Sequence, residues 1–288
     1  MSLKEVLSQA NRRAHEHANR PSGRREMKSV WASVAVTHEA GDFNDSLSVP
    51  GLLLRWLLAV VLLPFCWVTT WTFLSRLSDA HGGFWQTQQF QWFSGGVVCM
   101  FIGFFWRLIQ VPLLYLYVLG HELTHALFVI LFLGKVTDFS AKTTGGYITT
   151  NKSNLIIALS PYFVPFWSVV VTISYGLLRH FVVLGRWWEP GFYAVIGLTW
   201  TFHMVWTVWM LPRDQPDLQE HGRFFSLVVI YLANLLLLVA LLCVAAESPW
   251  QDAYAFAMDW LRYAATSADT IWRWAWRAID DLHAYGKF

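Results

Sequence analysis

Four apolar segments, each near the twenty residues that a helix needs to cross a lipid bilayer, restrict this chain to a membrane fold. They extend over about 51–75, 153–178, 191–211 and 224–245. Hydrophobic residues make up 56% of the 288 residues and charged residues only 14%, which excludes an ordinary soluble protein. We therefore expect an all-α polytopic membrane protein.

A fifth apolar run, Ser94–Gly134, is too long for a single crossing. As one helix it would be about 60 Å long, roughly twice the thickness of the hydrocarbon core. We place a break between Arg107 and Pro112, because Arg107 favours an interface and Pro112 fits the first turn of a new helix. The chain then has about six transmembrane helices, with both termini on one side.

The two ends of the chain are more polar than its middle. Residues 1–50 contain seven lysines and arginines and no apolar signal-peptide core. By the positive-inside rule, we expect a cytoplasmic N-terminus, an uncleaved first helix and a place in the cell (inner) membrane. The sequence divides into a polar tail (1–50), an anchoring first helix and loop (51–93), a membrane core (94–245) and a Trp-rich amphipathic helix (246–288).

The C-terminal stretch, about 249–283, has polar residues at helical spacing with tryptophans and other apolar residues opposite them. Its acidic residues outnumber its basic ones, so we expect Trp-rich packing at the interface of the lipid bilayer rather than attraction to anionic lipid. A helix that binds a partner protein is the alternative. The formal net charge of +2 indicates no nucleic-acid partner.

The long apolar run 94–134 contains the sequence His121-Glu122-Leu123-Thr124-His125. Ionisable side chains are costly inside a membrane segment and mark functional sites. On a helix, His121 and His125 lie about one turn apart on the same face, so both imidazoles can reach one metal ion. Glu122 lies beside them as a candidate general base. The pattern indicates the zinc site of a metalloprotease. A pair of structural histidines bonded to neighbouring helices is the alternative.

A catalytic zinc ion normally has three protein ligands and an open position for water, so a third ligand must come from another segment. Residues that can bind zinc occur together, from the predicted helix 191–211 to the start of the predicted helix 224–245. They are His203, Asp214, Asp217, Glu220 and His221.

These motifs resemble the site-2 protease family of intramembrane zinc metalloproteases. That family pairs a His-Glu-x-x-His helix with a later Asn-x-x-Pro-x-x-x-Leu-Asp-Gly segment, whose Asp is the third zinc ligand. Pro212 and Asp217 keep the spacing of that segment. The positions that depart from it are Trp209 (for Asn), Pro216 (for Leu) and Leu218 (for Gly). The resemblance covers about residues 94–245.

The resemblance implies an endopeptidase that cleaves in or near the transmembrane segment of a membrane protein substrate. Zn²⁺ held by His121, His125 and Asp217 would lower the pKa of its bound water, and Glu122 would accept the proton. A catalytically inactive membrane scaffold or binding protein that retains the protease fold is the alternative.

The tetrahedral oxyanion of this reaction needs a hydrogen-bond donor besides zinc. Asn154 and His203 are the candidates in this sequence. The alternatives are a helix-start residue for Asn154 and a buried histidine with only structural contacts for His203.

A short segment after the zinc helix has the composition of a turn and a strand, because the pair Gly145-Gly146 precedes Tyr147, Ile148 and two threonines. We expect a short β-hairpin or strand here. Its edge could hold an extended substrate by β-augmentation, and a mere connecting hairpin is the alternative.

Proteolysis inside a membrane also requires water at depth and an unwound substrate. The polar loop 212–223 can admit water. Pro161 and Pro165 could loosen the predicted fourth helix (153–178) to admit a substrate. Such prolines also serve as kinks that improve helix packing.

Overall fold

The computed structural model of the protein describes residues 49–79, 87–213, 215–245 and 248–285. Within these ranges the chain is mostly helical, with one two-stranded sheet, as predicted. The helices are α1 (Val49–Asp79), α2 (Gln88–Phe105), α3 (Arg107–Leu131), α4 (Leu155–Leu159), α5 (Phe166–Phe181), α6 (Trp188–Met210), α7 (Pro216–Glu220), α8 (Arg223–Ala245) and α9 (Pro249–Tyr285). The strands are β1 (Val136–Lys142) and β2 (Gly145–Thr150). The basic tail lies outside the described residues, so its cytoplasmic position stays a prediction.

Three of the described helices are long and apolar enough to cross a membrane, consistent with a membrane protein. They are Pro50–Ser78, Arg107–Leu131 and Arg223–Cys243. A fourth crossing results if the bent pair Leu155–Tyr162 and Phe166–Phe181 counts as one span. Helices α2 and α6 do not meet the same criteria, so the six-span topology stays a prediction.

The long apolar run divides at Trp106, one residue before the predicted interval. Trp106 has an extended backbone, which ends α2, and α3 begins at the next residue. The amide of Gln110 donates to the carbonyl of Phe104 across the break, at 2.8 Å. The prediction for Pro112 was wrong, because this proline lies in the second turn of α3. Proline lacks an N–H, so at this position α3 forgoes one backbone hydrogen bond near its start.

The predicted fourth helix is not continuous. It begins as α4, continues as a 3₁₀ turn (Ser160–Tyr162) and restarts as α5, with a bend of 81° between the part 155–162 and α5. Pro161 and Pro165 have no N–H for a helical hydrogen bond, and their rings clash with the preceding turn. They therefore break the helix rather than loosen it, and the break brings α4 and the 3₁₀ turn against α3.

Helices α2 and α6 approach each other closely through two glycines. A methyl group added at Gly96 would overlap the carbonyl oxygen of Ala194, and one added at Gly197 would overlap that of Phe93. Such contacts between small residues are typical of helix pairs in membranes. The pair packs on α3 through a buried core formed by Met100, Leu114, Tyr117, Val118, Phe202, Trp206 and Met210.

The predicted hairpin is present after α3. Strands β1 and β2 are antiparallel, and Lys142 pairs with Gly145 across a turn at residues 143–144, so the paired glycines begin the second strand. Ile148 is buried against Val129 of α3 and Ile157 of α4. This contact fixes the hairpin on the helix that carries the histidine motif.

The C-terminal stretch forms one helix, α9, as predicted. Its first half packs on α1, where the indole of Trp260 donates to Thr69 at 2.9 Å and Arg76 pairs with Asp259 at 2.6 Å. The tryptophans of its second half are exposed; they are Trp272, Trp274 and Trp276. Their packing at the interface of the lipid bilayer stays a prediction, with binding of a partner protein as its alternative.

Candidate metal centre

Helix α3 places the two motif histidines on one buried face. His121 and His125 are four positions apart, and their Nε2 atoms are 3.2 Å from each other. Both rings are almost completely buried, as is Glu122 between them in the sequence. A helical i, i+4 pair therefore presents two nitrogen donors at one point in the interior.

Helix α7 brings a carboxylate to the same point. Oδ2 of Asp217 is 3.4 Å from Nε2 of His121 and 3.5 Å from Nε2 of His125. The side chain of Asp217 has no exposed surface. Within the described residues, His121, His125 and Asp217 are the only group of three potential ligands close enough to hold one metal ion.

A backbone carbonyl orients one of the histidines. The Nδ1 atom of His125 lies 2.8 Å from the carbonyl oxygen of Ile157 in α4. When Nδ1–H donates to that oxygen, the lone pair of Nε2 is left for a metal ion. Metal-binding histidines commonly have such an acceptor behind them, and here the break in the predicted fourth helix supplies it.

Tyr162, which the sequence did not single out, supports the carboxylate. Its hydroxyl donates to Oδ2 of Asp217 at 2.9 Å, and its ring meets the edge of His121 with 5.1 Å between ring centroids. Its own carbonyl accepts from the side chain of Asn234 in α8, at 2.9 Å. Tyr162 therefore links α8, the 3₁₀ turn and the metal-binding group. The only signal in the sequence was its place between two helix-breaking prolines.

We expect Tyr162→Phe to weaken metal binding by about 10- to 100-fold, the usual cost of removing a group that orients a metal ligand. The ring and its packing remain, so the helical content should not change. Competition with a chromogenic chelator measures the affinity. Tyr147→Phe is the matched control, because that hydroxyl donates to Asp138 within the hairpin. Equal metal affinity in both variants would mean that Tyr162 does not position Asp217.

The hairpin packs its backbone directly on Glu122. A methyl group added at Gly146 would lie 2.5 Å from Cγ and 2.7 Å from Oε1 of Glu122, so only glycine fits there. Gly145 has a φ of 135°, which also favours glycine. Side chains alternate along a strand, so Tyr147 lies on the other face of β2 from Gly146. The candidate base and the predicted substrate segment are therefore in contact.

Of the two candidate oxyanion donors, Asn154 has a helix-start role. Its side-chain oxygen caps α4 by accepting from the backbone N–H of Ile157 at 2.9 Å. His203 lies on α6, and with His121 it lines a cavity of about 10 Å³, close to the volume needed for one water molecule. The Nε2 atom of His203 is buried and has no hydrogen-bond partner among the described residues.

The remaining candidates for the third ligand do not join the group. His203 and His221 are outside it, and Glu220 is exposed. Burial lowers the pKa of His221, against an opposing effect of the Glu220 carboxylate 3.9 Å away. Asp214 lies outside the described residues.

Comparison of the chain with family models, with curated proteins and with solved structures found no match.

Proposed function

We propose that the protein is an intramembrane zinc metalloprotease of the site-2 protease type, which cleaves peptide bonds in or near the transmembrane segment of membrane proteins. The observation that carries this proposal is the spacing of three buried donor atoms. Ligand atoms of a tetrahedral zinc ion, at bond lengths of about 2.0–2.1 Å, are about 3.3 Å apart. The donor atoms of His121, His125 and Asp217 are 3.2, 3.4 and 3.5 Å apart.

The donor set favours zinc over the common alkaline-earth ions. Two imidazoles and one carboxylate, with a fourth position open, form a typical catalytic zinc site. Magnesium and calcium prefer oxygen ligands throughout. No cysteine belongs to the group His121, His125 and Asp217, which is the only such group in the described part of the chain.

Bound zinc would supply an acidic water molecule and polarise the scissile carbonyl. Glu122 would act as the general base that takes a proton from the attacking water and then as the general acid that passes it to the leaving amine. The Ile157 carbonyl holds His125 in the tautomer that binds metal, and Tyr162 holds the carboxylate of Asp217. The surrounding burial excludes bulk water, which strengthens the electrostatic effect of each of these groups.

The hairpin supports a role in substrate binding. In the described residues β2 pairs only with β1, so its other edge can accept a further strand. Gly146 of β2 touches Glu122, so a substrate strand added at that edge would lie near the catalytic groups. An extended backbone is also the form that a protease needs, because a helical peptide bond is shielded by its own hydrogen bonds.

We expect Gly146→Ala to reduce cleavage by at least about tenfold, since its methyl group must displace Glu122 or the hairpin, and misplaced catalytic groups are costly. Zinc content should not change, because neither residue is a ligand. The matched control is Gly176→Ala on α5, where an added methyl group meets nothing within 4 Å. Undiminished cleavage by Gly146→Ala would show that the contact with Glu122 has no catalytic role.

The proposed function is tested with the purified full-length chain and a panel of single-span membrane proteins. We expect bound zinc, and cleavage of a panel member that stops when a chelator removes the zinc. Bound zinc without cleavage of any panel member would favour the inactive scaffold. Cleavage that persists without metal would exclude a metalloprotease.

A further inference from the structure

A second cavity opens between the end of α5 and the start of α6. None of the residues that line it belongs to the metal centre. Its volume is about 380 Å³, within the range of small-ligand pockets. The basic side chains in its lining are Arg179, His180 and Arg186, and Glu189 is the one acidic side chain there. The cavity therefore carries a net positive charge.

Both guanidinium groups are available to a ligand. Among the described residues, no carboxylate forms an ion pair with Arg179 or Arg186. The guanidinium of Arg186 lies over the ring of Trp187, 4.8 Å from its centroid. Stacking uses the face of the guanidinium, so its N–H donors remain free at the edge.

The rim of this cavity is apolar and unusually exposed. Phe181 is 78% exposed, Val183 is 100% exposed, and Trp187 and Trp188 are more than half exposed. Large apolar side chains in such positions are costly in water, whereas tryptophan and arginine are both typical of the membrane–water interface. Helix α5 belongs to the bent pair that could cross a membrane. Its end is therefore placed where phospholipid headgroups lie.

We propose that this cavity binds the phosphate group of an anionic phospholipid, with the acyl chains beside the apolar rim. Arginine binds phosphate oxygens through paired N–H donors, and two arginines with one acid nearby favour an anionic lipid over a zwitterionic one. This lipid site is independent of the proposed proteolysis, because none of its residues belongs to the metal centre.

The test uses the detergent-solubilised full-length chain, titrated with phosphatidylglycerol or phosphatidylcholine and analysed by native mass spectrometry. We expect Arg179→Gln combined with Arg186→Gln to weaken phosphatidylglycerol binding by about tenfold or more, as the loss of charged hydrogen bonds predicts. Phosphatidylcholine binding should not change. The control is Arg262→Gln combined with Arg277→Gln on α9, which removes the same charge from exposed positions.

Two results would overturn the proposal. Equal weakening in the control pair would mean that general charge, rather than this cavity, attracts the lipid. Full displacement of phosphatidylglycerol by millimolar inorganic phosphate would mean that the site takes free phosphate. Zinc content and helical content are measured in every variant, so that failure of the lipid site is distinguished from damage to the metal centre or fold.

Discussion

Glu122→Gln is expected to lower cleavage by at least about 10²- to 10⁴-fold, the typical contribution of a general base, while zinc remains bound. The amide has nearly the shape of the carboxylate, which matters because Glu122 is packed against Gly146. It cannot accept the proton of the attacking water. Fragment yield from a membrane substrate and zinc per chain are the two measurements.

The matched control for this variant is Glu220→Gln. Glu220 is an exposed acid at the end of α7, three residues from Asp217, and it is not part of the metal-binding group. The same chemical change there should leave cleavage and zinc content nearly unchanged. If Glu122→Gln cleaves as well as the unaltered protein, Glu122 is not the base and the mechanism proposed here is wrong.

Asp217→Ala is expected to remove zinc as well as cleavage, because it leaves only two protein ligands. The loss of affinity should exceed the roughly 10- to 100-fold that a change in a supporting residue such as Tyr162 costs. Zinc occupancy after dialysis against a weak chelator measures the effect. The two variants therefore differ in zinc content, because Glu122→Gln keeps its zinc and Asp217→Ala loses it.

Asp214→Ala is the control for this second prediction, since Asp214 is the nearest alternative carboxylate in the sequence. It should leave zinc content nearly unchanged. Loss of zinc in Asp214→Ala with retention in Asp217→Ala would assign the third ligand to Asp214. Full retention in both variants would point to His203 or His221.

The helices and the shared face of His121 and His125 could be predicted because their signals are local. Apolar segments of the right length located α1, α6 and α8. His121 and His125 are four positions apart, so they lie on one face as long as α3 is helical. The pair Gly145-Gly146 located the hairpin for the same reason, since strand and turn preferences operate over a few residues. The six-span topology and the orientation in the membrane remain predictions.

The supporting contacts of the site could not be predicted, because they join distant segments. His121 and Asp217 are 96 positions apart, and Tyr162 and Asp217 are 55 apart. Pro161 and Pro165 indicated a disturbance in the fourth helix but not its direction. The 81° bend separates α5 from the segment 155–162, in which the Ile157 carbonyl reaches His125 and the Tyr162 hydroxyl reaches Asp217, and tertiary packing decides such a bend.

Intramembrane proteolysis is tested by locating the bond that the purified, lipid-reconstituted protein cleaves in a single-span membrane protein. Mass spectrometry of the fragments gives the position, with samples depleted of metal, restored with zinc, or carrying Glu122→Gln. We predict a cut in or near the transmembrane segment that requires both zinc and Glu122. Zinc-loaded protein that leaves every such substrate intact, or that cleaves without Glu122, would contradict it.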